Sequence, residues 1–285
     1  MKINTISPQE NKYLQIIKTI ANCPKTLYFC GDIPEKRIPS VAIVGTRRPT
    51  AYGKEVTYKL ASELAMKGIV IVSGLAFGVD SIAHKAALDA HGITIAVLAN
   101  GLDSIYPAAH KDLAQSIIRG RGALISEYPP DIQARGYQFL ERNRIVSGLA
   151  DTIIITEAAS RSGTLSTAAH ALGQGKDIFV VPGNITSPLS SGCNALIKQG
   201  AQPIVSTDDI LSVIVPEYAK LLPDQPLGNT PLESSIISLL ASGIRDGDEI
   251  QQKSGAGISE FSVALTMMEI NGTIRALGGN QWTLK

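Results

Sequence analysis

"GIVIVSGLAFGVDSIAH", residues 68–84, runs from an unbroken apolar segment through Gly74 and Gly78, four positions apart, into a stretch that opens with Asp80 and Ser81. Apolar residues without alternation mark a strand covered on both faces. The following "DSIAHKAALDAHG" (80–92) reads as a helix closed by glycine. The same sequence of strand, glycine-bearing loop and helix recurs. Its apolar runs are at 40–45, 93–99, 122–127, 151–157, 177–183 and 202–205. Such alternation predicts an α/β chain built on a doubly wound, mostly parallel sheet.

The remaining segments set the boundaries. Residues 1–39 are basic, contain one candidate helix over 10–22, and read as a short N-terminal extension. The sheet domain is expected over 40–215. The Pro- and Gly-rich stretch 216–229 reads as a linker. Residues 230–285 read as three helices and a hairpin turning at Gly278-Gly279-Asn280, which is the winged-helix order. This last unit carries four basic residues against six acidic ones, so protein contact or a structural duty suits it better than duplex binding.

With 285 residues, 44% of them hydrophobic, the chain has enough apolar side chains for one large core and a second small one. No apolar stretch is long enough to span a bilayer and the N-terminus is polar, so a cytoplasmic protein is expected, with no membrane partner. Cys23, Cys30 and Cys193 form no CxxC pair, and the four histidines lack metal-ligand spacing. Neither a disulfide framework, a metal nor a cofactor is implied. A net charge of +1 excludes polyanion binding by bulk attraction, so any phosphate site must be local.

In an open parallel sheet, ligands lie beyond the carboxyl ends of the strands. The loops expected there are 45–53 (Gly45, Thr46, Arg47, Arg48), 73–80 (Ser73, Gly74, Leu75, Ala76, Phe77, Gly78), 100–107 (Asn100, Gly101, Tyr106), 157–167 (Ser162, Gly163, Thr164) and 182–194. Gly74 and Gly78 are expected to let the backbone approach a ligand and take positive φ. The next helix N-terminus then offers unpaired amides to a phosphate. Arg142, Asn143 and Arg144 are expected to open a short helix before the strand at 151–157, where bound anion would offset the unfavourable dipole. Phe77, Tyr106, Tyr137 and Phe139 are candidate stacking aromatics. Several anion-compatible loops on one edge suit a chain of phosphates, and single-stranded nucleic acid more than duplex.

"SVAIVGTRRPTAYG", "VSGLAFGVDSIAH", "AVLANGLDSIYPAAHKDL", "FLERNRIVSGLADTIIITEA", "SRSGTLSTAAHALGQGKDIFVVPG" and "GCNALIKQGA" occur in this order and resemble the DNA-processing protein A (DprA or Smf) family over residues 40 to about 212. The resemblance implies an extended Rossmann-like fold. It also implies a non-catalytic homodimer that binds single-stranded DNA, protects it and loads the RecA recombinase in natural transformation or recombination. It further implies a DNA pocket formed by Arg47, by Ser73 to Gly78 and by Arg142 to Arg144. Phe77 stands where the family commonly carries a basic residue, Leu140 where proline is usual, and the N-terminal helical domain of many members is reduced to residues 1–39. The stretch 192–205 is the candidate dimer edge.

Two enzyme classes compete with this reading. A nucleoside monophosphate phosphoribohydrolase-like activity would need carboxylates where Leu165, Ser166 and Thr167 stand. A dinucleotide-dependent oxidoreductase would need a GxGxxG in the first loop, which reads "GTRRPT" instead.

Overall fold

The computed structural model describes residues 2–215, 228 and 230–284. They form two units, one reaching to Val215 and one made by the C-terminal residues. In the first, β3 (Ser40–Val44), β4 (Val70–Ser73), β5 (Thr94–Val97), β6 (Ala123–Ser126), β7 (Thr152–Ile155), β8 (Ile178–Val180) and β9 (Gln202–Pro203) are parallel. They alternate with α1 (Ala51–Met66), α2 (Val79–Asp89), α3 (Lys111–Arg119), α4 (Gly136–Leu149), α5 (Thr164–Gly173), α6 (Ser191–Lys198) and α7 (Asp208–Ile214). The protein has the α/β fold with a mostly parallel sheet and a C-terminal winged-helix domain.

Both sheet faces are covered, which explains the missing polar alternation. Ala42, Val44, Val70, Val72, Ile95, Val97, Ile153 and Ile155 share one core with Ile145 and Leu149 of α4 and Ala168 and Ala171 of α5. Ala96, Leu98 and Leu124 pack on the other face against Leu75 and, from α3, Ala114 and Ile117.

Residues 2–39 depart from the expected extension. β1 (Asn4–Ile6) and β2 (Leu27–Gly31) continue the same sheet, with β2 antiparallel to β6. The helix expected over 10–22 is a 3-10 segment, Leu14–Thr19. It is started by the Asn11 side chain, whose Oδ1 accepts from the amides of Tyr13 and Leu14 at 2.8 and 3.1 Å. Tyr13, Leu14 and Ile17 are fully buried in the α4-side core, so the segment belongs to the sheet unit by packing.

The sheet order is β1-β2-β6-β5-β4-β3-β7-β8-β9. From β3 the chain steps outward to β6, then returns through α4 to place β7 on the other side of β3. The reversal leaves a crevice beyond the carboxyl ends of β3, β4 and β7, the topological switch point of such sheets.

The C-terminal unit consists of α8 (Pro231–Ala241), α9 (Gly247–Ser254), α10 (Ile258–Ile270) and the hairpin β10 (Ile274–Gly278) with β11 (Gln281–Leu284). Thr230 caps α8 by accepting from the Glu233 amide at 3.1 Å, and Asp246 caps α9 through the amides of Asp248 and Glu249. Ile236, Ile237, Ile250, Phe261, Leu265 and Met268 fill the core between the helices. The expected linker, except Gly228, lies outside the described residues. Among those residues no helix is long and apolar enough to cross a membrane.

Candidate functional site

A cleft of about 620 Å³ occupies the switch point. Its first wall is the loop after β3. The Thr46 amide donates to the Glu157 carbonyl at 2.7 Å. The buried Glu157 carboxylate accepts from both the amide and the hydroxyl of Thr50, each at 2.8 Å, and Thr50 in turn caps α1. So fixed, the loop projects Arg47 over the Phe139 ring, 5.5 Å from its centroid. Phe139 packs against Tyr106 at 5.5 Å between centroids, which gives a row of guanidinium and two rings along the cleft.

The second loop is organised from within. Asp80, 6% exposed, accepts through Oδ2 from the amides of Gly74 at 3.1 Å and Ala76 at 3.4 Å. Two donors that sequence reasoning offered to a phosphate are therefore held by an internal carboxylate. Burial pushes the Asp80 carboxyl up from the usual carboxylate range, and the nearby Arg142 guanidinium opposes that shift. Arg142 is 4% exposed and donates from Nη1 to the Gly74 carbonyl at 2.7 Å and to the Val97 carbonyl. Desolvation lowers its pKa to about 10, partly countered by Asp80, so it stays cationic at neutral pH. Gly74 takes ordinary φ, and the left-handed conformation falls on buried Leu75, φ 58°, and on Gly78, φ 78°.

The third wall is the segment before α5. The Ser162 hydroxyl donates to Thr164 Oγ1, which donates to the Gly45 carbonyl at 2.9 Å and so ties this wall to the first. Asn143 Nδ2 donates to Ser166 Oγ at 2.8 Å. The Arg47 and Gly163 amides, both among the cleft-lining residues, make no hydrogen bond among the described residues. One exposed guanidinium, one buried guanidinium, hydroxyls and open amides thus face a shared space, and Asp80 supplies the carboxylate among the cleft-lining residues. Such an arrangement is chemically suited to an anion.

The cleft brings together Gly45, Thr46, Arg47, Ala76, Tyr106, Arg142, Asn143, Ser162, Gly163 and Thr164. Other expected residues lie elsewhere. Arg144 forms an ion pair with Glu127, away from the cleft. Ser73 is buried and donates to the Ile43 carbonyl at 2.7 Å. Asn100 is spent inside its own loop, donating to the carbonyls of Gly101 and Ser104, and Gly101 abuts the carbonyls of Pro129 and Pro130. Arg48 is exposed outside the lining. Phe77 sits edge-on to His110 at 4.8 Å, and Gly78 lies against the Thr46–Arg47 backbone. The Arg142–Arg144 segment does not open a helix, because α4 begins at Gly136 and places Arg142 in its interior. Sequence reasoning missed Ala134 and Gly136 as cleft-lining residues, since neither carries a charge or lies in one of the glycine-bearing loops after a strand.

A family model for DNA recombination-mediator protein A matches residues 4–215, and one for the DprA winged helix domain matches residues 221–280. The chain belongs to the DprA family. It is 36% identical to Protein Smf of Escherichia coli (strain K12) over 92% of its own length and 72% of that protein. It is 42% identical to DNA processing protein DprA of Bacillus subtilis (strain 168), over 73% of this chain and 70% of that one. Among solved structures, DprA of Streptococcus pneumoniae superimposes with a TM-score of 0.69 at 38% identity, over 75% of each chain. DNA processing protein A of Helicobacter pylori, whose structure is described as revealing a "unique single-stranded DNA binding mode", gives a TM-score of 0.66 at 38% identity, over 76% of this DprA-family chain and 97% of that one.

Proposed function

We propose that this DprA-family protein binds single-stranded DNA in the switch-point cleft and holds it without chemical turnover. The observation that carries the reading is the convergence of Arg47, Arg142 and the open amides of Arg47 and Gly163 on one cleft of a chain whose net charge is only +1. The Tyr106 and Phe139 rings beside those donors suit unstacked bases, which a duplex does not present. Asp80 is committed to two loop amides and Glu157 to Thr50, so neither carboxylate is placed to act on a nucleotide sugar. In the same reading the protein is cytoplasmic, delivers its strand to a RecA-type recombinase, and works as a homodimer through the edge formed by α6 and β9. Two linked clefts would raise avidity through effective concentration.

Titration calorimetry with oligo(dT) and with AMP, run beside an assay for release of free base, separates binder from hydrolase. Tight oligo(dT) binding with intact AMP is expected. Turnover of AMP would overturn the reading.

A further inference from the structure

α1 and α2 start from the two loops that wall the cleft and then lie side by side, joined by Ser62 Oγ to the Ala86 carbonyl at 3.4 Å and by Tyr58 OH to Asp89 at 3.0 Å. Between them runs an open groove lined by Lys54, Glu55, Tyr58, Lys59, Ile82 and Lys85. Lys54, Lys59 and Lys85 are exposed, and none lies within 4.0 Å of a carboxylate among the described residues. The groove thus holds three ammonium groups against one carboxylate, Glu55, in a nearly neutral molecule. By contrast, Lys253 pairs with Glu249, Lys67 pairs with Asp208, and Lys176 is held by the carbonyls of Ser147, Gly148 and Ala150.

We propose that a nucleic-acid strand leaving the cleft past Arg47 continues along this groove, its phosphates passing Lys54, Lys85 and Lys59. The inference rests on the cleft reading above and extends it from a pocket to a track. Two features give it direction. Lys54 sits in the first turn of α1, the helix that starts from the loop carrying Arg47 and Arg48, so the groove begins at the end of α1 that faces the cleft loop. It is also bounded: the Tyr58 hydroxyl donates to Asp89, which places a carboxylate beside the ring and disfavours a phosphate at that point. Lys54 and Lys59 lie five residues apart on one helix, about 7.5 Å along its axis. The Tyr58 ring, 41% exposed and fixed at its hydroxyl, offers a face on which a base can stack.

Oligo(dT) of about five and about fifteen nucleotides distinguishes track from pocket, since these span the usual range of single-strand site sizes. The full chain and its Lys54→Gln, Lys59→Gln, Lys85→Gln triple variant are titrated at several salt concentrations, with Lys253→Gln as a surface-charge control and thermal unfolding as a check on folding. The short oligonucleotide is expected to bind both alike. For the long one, the triple variant should lose at least tenfold in affinity and about 2 from the slope of log K against log salt, three phosphate contacts at about 0.7 each. Equal affinity and slope of variant and parent for the long strand would overturn the track while leaving the cleft intact. Failure of the unsubstituted chain to bind either strand would overturn the cleft reading and the track with it.

Discussion

Gly74 is glycine because the Arg142 guanidinium occupies the place of a side chain: a Cβ built there would lie 2.5 to 2.7 Å from Nη2, Cζ and Nη1. Arg142 cannot swing aside without giving up its bonds to the Gly74 and Val97 carbonyls. Gly74→Ala is therefore expected to cost about 2–4 kcal/mol in urea unfolding, the worth of one or two hydrogen bonds from a charged donor. Arg142 also shows where residue type misleads. Expected at a helix start it reads as a direct phosphate ligand, yet it lies inside α4, is buried and organises the cleft floor from which it adds its charge, so Arg142→Ala would confound folding with binding. His84 is fully buried, with Nδ1 bonded at 2.6 Å to Thr94 Oγ1, which itself donates to the Ile71 carbonyl, and with Nε2 unpartnered. Desolvation lowers its pKa to about 3. The unfolded chain takes up this proton near pH 6.5, the folded chain only near 3, so stability is lost as pH falls through that window, at up to about 1.4 kcal/mol per pH unit. Urea midpoints measured from pH 7 to 4 should show this limb, and His84→Asn should flatten it.

The strands of the parallel sheet were legible because a buried parallel strand has no reason to alternate; "VAIV" (41–44) and "IVIV" (69–72) record that burial directly. The strands β1 and β2, which extend one side of the sheet, were not. β2 mixes buried Leu27 and Cys30 with half-exposed Tyr28 and Phe29, and its place depends on pairing with distant β6. The start of α4 was equally hidden, since no Ser, Thr, Asp or Asn stands at its N-cap. Gln138, buried at 1% exposure, instead reaches back and accepts from the Arg135 amide at 2.5 Å. Gln138→Ala should lower stability by about 1 kcal/mol, read from the thermal midpoint, and should weaken strand binding by loosening the turn that carries Gly136 and Phe139. The loop walls of the cleft were visible as glycine-rich, hydroxyl-rich turns. The occupancy of the Gly74 and Ala76 amides by Asp80 was not, because only the folded backbone decides whether a carboxylate caps its helix or its loop.

Across the whole molecule, a net charge of +1 leaves no bulk field to draw in a polyanion, so affinity must come from donors concentrated at the switch point and along its margins. The winged-helix unit, with six acidic residues against four basic, adds no attraction of its own. Arg47 is the guanidinium to remove, because it is exposed and its recorded contact is the Phe139 ring, so its loss leaves the fold in place. A salt titration of fluorescent oligo(dT) binding by the full chain and by Arg47→Ala therefore tests the cleft directly. Affinity is expected to fall by about 1–3 kcal/mol, and the slope of log K against log salt by about 0.7, with the melting temperature unchanged. Identical affinity and slope for the two proteins would contradict the account.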